Sequence, residues 1–116
     1  KFTFKGKKQQ ESNKILNDTK LLENAGAFSI VLECIETKLS KKITNNLKIP
    51  TIGIGSSANC DGQVLVTDDL IGLSKSKLKF VKNYIDMSRI IEKAIKRYKS
   101  DVLKKKFPTK KHSFNT

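Results

Sequence analysis

Apolar positions along the chain switch repeatedly between a helical and a strand period. From about residue 10 to 25, Ile15, Leu16, Leu22 and Ala25 recur at helical spacing, and Gly26 stands where a left-handed cap ends the helix. The near-continuous apolar run Phe28-Ser29-Ile30-Val31-Leu32 predicts a parallel strand buried on both faces, with Glu33 breaking the run at its C-terminal end. A second helix is expected over residues 36–47, where Leu39, Ile43 and Leu47 share a face and Pro50 prevents continuation. Residues 51–55 predict a second short strand, residues 56–62 a loop, and residues 63–67 a third strand ending in Asp68-Asp69. Helical readings follow for residues 77–84 and for 88–105, the latter with Ile91, Ala94, Ile95, Tyr98 and Val102 on one stripe. From about residue 104 to 116 the chain reads as a loose basic tail.

Helix, strand, helix, strand, strand, helix with short connections defines an α/β class built from right-handed crossovers. Three parallel strands are an unfinished sheet, because both edges leave backbone groups unpaired and one apolar face lacks helices. The whole chain, residues 1–116, is therefore expected to be part of a larger domain: a sector of a (β/α)8 TIM-type barrel or of an open sheet. In a (β/α)8 barrel the chemistry sits at the C-terminal ends of the strands. Glu33, the loop of residues 55–61 and Asp68-Asp69 all fall there.

Composition changes this picture little. With 116 residues, 37% of them hydrophobic, the chain has room for one domain with a modest core. The formal charge of +13 invites a nucleic-acid reading. Against it, the basic set is 22 Lys and only 2 Arg, Arg89 and Arg97, whereas phosphate and base readout draw on the bidentate guanidinium. The aromatics, from Phe2 and Phe4 to Phe107 and Phe114, do not interleave with basic residues along one strand face. The Lys excess reads as a solvated surface, and no nucleic-acid partner is expected. Cys34 and Cys60 form no CxxC motif, and the single His112 lies in the tail, so a structural zinc site has no support. Two thiols without a secretion signal point to a reducing compartment, and a cytoplasmic location is expected. The longest apolar runs, residues 25–32 and 49–54, are too short for a membrane span. A first residue of Lys1 rather than Met is expected of an excerpt or a processed piece.

Among residues able to do chemistry, Glu33 is the strongest candidate. A carboxylate directly after five strand residues is expected to be partly desolvated, which strengthens it as a base. The alternative is a strand-end Glu that points to solvent or pairs with a Lys. Gly53-x-Gly55 followed by Ser56-Ser57 would let a ligand approach the backbone, or would simply admit close packing at a strand end. Asp61-Gly62 reads as a turn before a strand. Asp68-Asp69 would bind a cation or, the favoured reading, cap the helix that follows. His112-Ser113 has no partner at triad-like spacing.

Several blocks, taken together, resemble the ketopantoate hydroxymethyltransferase family. They are Ala25-Gly26-Ala27 leading into Ile30-Val31-Leu32-Glu33-Cys34, then Ile49-Pro50-Thr51-Ile52-Gly53-Ile54-Gly55, Cys60-Asp61-Gly62-Gln63-Val64-Leu65-Val66 and Asp69-Leu70-Ile71-Gly72. Lys79-Phe80-Val81-Lys82-Asn83-Tyr84 and Phe107-Pro108 with His112-Ser113-Phe114 complete the series, in order and nearly end to end. The resemblance implies the last three strands of a (β/α)8 barrel. It implies transfer of a hydroxymethyl group from 5,10-methylenetetrahydrofolate to 3-methyl-2-oxobutanoate, in pantothenate and coenzyme A biosynthesis. Glu33 matches the family's general base, and Gly55, Ser56, Ser57 and Asp69 match pocket-wall positions. The magnesium ligands and a substrate-binding Lys are expected on earlier strands, outside this chain. By the same resemblance the expected partners are the 2-oxoacid, the folate, an N-terminal barrel half and, in a homo-oligomer, further copies (a decamer). The chain without its N-terminal half is expected to be inactive. Competing readings are an inactive remnant, a Lys-rich binding protein, and an enolate-forming barrel of the phosphoenolpyruvate-mutase kind, which the blocks around Glu33 and Asp61 fit less well. Two departures stand out. Ser56-Ser57 replaces the usual Gly or Ala-Gly, which would narrow the pocket mouth. Asp68-Asp69 replaces His-Asp, adding a negative charge that would alter metal or folate affinity.

Overall fold

The computed structural model describes residues 3–114. Residues 1, 2, 115 and 116, which include Phe2 and the end of the expected tail, lie outside them. The chain divides into two compact units, Lys1–Val66 with Ser76–Lys82, and Thr67–Lys75 with Asn83–Thr116.

The first unit begins with helix α1, Gln9–Asn24, close to its expected bounds. Gly26, with φ +98°, ends it: its amide bonds to the Glu23 carbonyl and the Ala27 amide to the Leu22 carbonyl. That pair of bonds is the Schellman arrangement, and the positive φ is why glycine stands there. Strand β1, Ile30–Glu33, leads to helix α2, Thr37–Asn46, whose first turn is capped by the Glu36 carboxylate accepting the Leu39 amide at 2.9 Å. Strands β2, Thr51–Ile54, and β3, Gly62–Gln63, complete a parallel sheet of order β1-β2-β3, with Ile30 opposite Thr51 and Ile52 opposite Gly62.

Alternation along β1 and β2 sets the core. Ile30, Leu32, Thr51 and Gly53 face the helices and are buried, and Leu39, Ile43 and Cys60 join them. Ile15, Leu16, Ile35, Leu47 and Ile49 pack around this cluster. The other face carries Val31, Glu33, Ile52 and Ile54, and Val31 is 58% exposed. The expectation of a strand buried on both faces is thus corrected: α1 and α2 cover one side only, and the apolar opposite side is open. The β1 edge is extended by a parallel bridge between Lys5 and Ile35.

The expected third strand over residues 63–67 is also shorter. The Val64 amide still reaches the Gly53 carbonyl at 3.0 Å. Beyond Ile54, however, Gly55 turns away with φ +64°, so residues 65–67 have no β2 backbone to pair with. The helix expected over 77–84 does not form; the segment holds a single turn closed by the Val81 amide on the Leu78 carbonyl. Leu78 and Phe80, two residues apart, instead line a cavity in the first unit.

The second unit contains a short helix α3, Thr67–Leu70, and a long helix α4, Met87–Leu103, capped by the Asp86 carboxylate on the Arg89 amide. Ile91, Ile95, Tyr98 and Val102 form the expected stripe along α4 and are exposed. The segment from about 104, expected as a loose tail, carries local structure among the described residues. Lys105, with φ +58°, reverses the chain, and residues Lys110–His112 form a 3-10 turn. Phe107 lies edge-on to Tyr98 with ring centroids 5.7 Å apart, and 5.2 Å from the His112 ring. Among the described residues no helix is long and apolar enough to cross a membrane.

Candidate active site

The C-terminal ends of β1 and β2 bring three of the candidate residues together. Glu33 is the last residue of β1, beside Ile54 in register and on the open face. It is exposed and makes no hydrogen bond or ion pair among the described residues. Among the described residues, no helix covers the sheet face that carries it.

The backbone at this point is unusual. Cys34, directly after Glu33, has φ +52°, a region a non-glycine residue occupies only when its surroundings hold it. Three bonds do so. The Cys34 amide donates to the Ile54 carbonyl at 2.9 Å, the Lys5 amide donates to the Cys34 carbonyl at 2.8 Å, and the Glu36 amide donates to the Lys5 carbonyl at 2.8 Å. The Cys34 thiol is buried; burial, and after it the negative charge of Glu33, pushes its pKa up. A raised pKa keeps it as the neutral thiol rather than a nucleophilic thiolate.

Ser56 crosses the same spot. Its hydroxyl donates to the Leu32 carbonyl at 2.7 Å and accepts the Ile35 amide at 3.1 Å. Ser57, by contrast, is turned inward: the residue is 2% exposed, and its hydroxyl accepts both the Asn59 amide at 3.0 Å and the Asn59 side-chain amide at 3.1 Å. Its carbonyl takes the Gln63 side-chain amide at 2.8 Å. Both hydroxyls are thus engaged in holding loop and strand ends.

Gly55 lies under the Phe80 ring. A Cβ there would stand 2.9 Å from Phe80 Cδ1 and 3.2 Å from Cys34 Sγ, so the close approach as well as the positive φ requires glycine. Thr3, Phe4, Cys34, Lys77, Leu78, Lys79 and Phe80 line a mainly apolar, half-open cavity of about 280 Å³. Asp69 belongs to the second unit, where its carboxylate accepts the Ser74 hydroxyl and its carbonyl the Asn83 side-chain amide. Asp68 and Asp69 occupy the first turn of α3, and no group of three metal-ligating side chains exists among the described residues. The residues present do not make a magnesium site.

Sequence reading missed Cys34, Phe80 and the Lys5 segment as parts of this site. Phe80 was visible only as part of a matching block, and nothing in the identity of Cys34 signals a left-handed turn.

Open α/β folds place their ligand-binding groups at the C-terminal ends of parallel strands, and that edge here carries Glu33 and Gly55. The family can be stated more narrowly. The profile of the ketopantoate hydroxymethyltransferase family matches residues 1–110, and the chain belongs to that family. It is 60% identical over 113 residues to the 3-methyl-2-oxobutanoate hydroxymethyltransferase of Pelagibacter ubique, covering 97% of this chain and 44% of that protein. The proteins of the same name from Carboxydothermus hydrogenoformans and Geobacter metallireducens are 50% and 49% identical, over 97% and 98% of this chain and 41% and 43% of their own lengths. The chain therefore spans less than half the length of these relatives.

Proposed function

We propose that this chain is the base-carrying C-terminal sector of a (β/α)8 ketopantoate hydroxymethyltransferase, working with an N-terminal half that closes the barrel. The observation that carries this reading is the open face of the sheet: Val31, Glu33, Ile52 and Ile54 point to the side the helices do not cover. In a closed barrel such a face becomes the packed interior, and its C-terminal rim becomes the active site.

On that rim Glu33 removes the proton from the branched carbon of 3-methyl-2-oxobutanoate. The resulting enolate carbon takes the one-carbon unit of 5,10-methylenetetrahydrofolate and, with water, yields 2-dehydropantoate and tetrahydrofolate. A C–H beside a ketone is weakly acidic, so a positioned carboxylate is the part of this chemistry the chain itself provides. Gly55 keeps the rim open where β2 ends, and Asp69 is assigned to the pocket wall by family resemblance alone. Magnesium, which would polarise the ketone, is assigned to the N-terminal half by family resemblance. The same reading gives a cytoplasmic homo-oligomer, a decamer by resemblance; two free thiols, Cys34 and Cys60, support the reducing compartment.

The test uses a chimaera in which this chain replaces the matching 113 residues of the Pelagibacter ubique protein. Exchange of the substrate's branched-carbon proton with deuterated solvent is compared between the chimaera and its Glu33→Gln variant. Unimpaired exchange in the variant would remove Glu33 from the reaction.

A further inference from the structure

At the exit of β1 the chain bends at Cys34, within the four residues Leu32, Glu33, Cys34 and Ile35. In an ordinary β-turn the first carbonyl accepts the fourth amide directly. Here the Ser56 hydroxyl stands between them, donating to Leu32 at 2.7 Å and accepting from Ile35 at 3.1 Å. Glu33 and Cys34 are the two central residues that this bridge spans, and the φ of +52° at Cys34 is the strained position inside it.

We propose that Ser56 is a positioning residue for Glu33, fixing the direction of its carboxylate by closing the β1 exit through a side chain from the β2 exit. The proposal rests on the reading of Glu33 as the base. Its physical ground is that the Glu33 side chain is exposed and makes no hydrogen bond or ion pair among the described residues that would orient it. Its direction is set by its backbone, and the backbone is held on one side by the Cys34–Ile54 and Lys5–Cys34 bonds and on the other by Ser56. Ser56 itself is not a nucleophile in this arrangement, since its single proton is committed to the Leu32 carbonyl. A small error in the aim of a base costs rate with little effect on binding.

The experiment is a double-mutant cycle on proton exchange in the same chimaera, with Ser56→Ala, Glu33→Gln and the double variant. Ser56→Ala is expected to lower the exchange kcat by about tenfold, with KM for 3-methyl-2-oxobutanoate within about twofold. Ser56→Thr, which keeps the hydroxyl, recovers most of the loss. Because Ser56 acts through Glu33, Ser56→Ala adds no further loss in the Glu33→Gln background. Ser56→Gly serves as the second deletion if the alanine variant does not fold. Parental exchange in Ser56→Ala, or losses that multiply in the double variant, overturns the proposal while Glu33 stays the base. Normal exchange in Glu33→Gln alone overturns the reading of Glu33, and the positioning role with it.

Discussion

Asp61 and Thr51 hold each other across the loop that joins β2 to β3: the Asp61 carboxylate accepts the Thr51 amide at 2.8 Å, and the Thr51 hydroxyl accepts the Asp61 amide at 3.3 Å. Thr51 is fully buried and its hydroxyl also meets that of Thr44 at 2.8 Å, so the loop is tied into both β2 and α2. Removing the carboxylate leaves a buried amide without its partner. Asp61→Ala in the chimaera should therefore lose about 1–3 kcal/mol of stability, and Asp61→Asn less, because its amide oxygen still accepts. Urea unfolding measures this, and a midpoint unchanged in Asp61→Ala would show that the Thr51 amide does not depend on Asp61.

Glu23 does for the end of α1 what Asp61 does for the loop. Its carboxylate accepts the Lys48 amide at 2.6 Å and the Ile49 amide at 3.2 Å, and pairs with Lys20 at 3.1 Å. The Lys48 amide first, then Lys20, hold its pKa below the ordinary carboxylate range. A depressed folded-state pKa means stability that is present above the unfolded value, about 4.3, and lost as pH falls through the folded one. The difference in urea midpoint between the chimaera and Glu23→Gln should hold from neutral pH to about 5 and shrink below about 4.3. A difference that stays constant into strong acid would sink this account.

Much of the fold was legible because it is local. The helical spacing of Ile15, Leu16 and Leu22, the glycine after Ala25 and the proline after Ile49 place α1, α2 and their ends within a few residues. The errors have one origin, which is that a run of apolar residues does not say what lies beside it. Val31 reads like Ile30 and Leu32, yet only the latter two meet helices in this chain. Leu65 and Val66 read as strand, yet the partner strand has already turned at Gly55. For the site, Glu33 and Gly55 stood out by type and position. The role of Ser56 did not, because it arises where two strand exits, 24 residues apart in sequence, come within hydrogen-bond distance.

The open face predicts how the chain behaves by itself. Val31, Ile52 and Ile54, apolar residues on one sheet face, require covering. Expressed without an N-terminal half, the 116-residue chain should bind a hydrophobic dye, aggregate readily and melt without a sharp transition. A monomer with a cooperative thermal transition and dispersed amide resonances would show that the sheet is complete as it stands, and would count against the barrel sector.

The strongest single test falls on Glu33. Glu33→Gln keeps the size of the side chain and its hydrogen-bonding capacity but removes its power to accept a proton. In the chimaera, exchange of the branched-carbon proton of 3-methyl-2-oxobutanoate should fall by about 10² or more, the usual worth of a positioned base. Binding of the 2-oxoacid, read by equilibrium titration, should change little, since the groups expected to hold its carboxylate and ketone lie outside this chain. The melting temperature should also stay close to the parent's, because the Glu33 side chain is exposed and makes no hydrogen bond or ion pair among the described residues. Proton exchange needs no folate, so it separates removal of the proton from transfer of the one-carbon unit. If the variant exchanged at the parental rate, Glu33 would be an ordinary strand-end carboxylate. The assignment of the reaction to this rim would then rest on family membership alone.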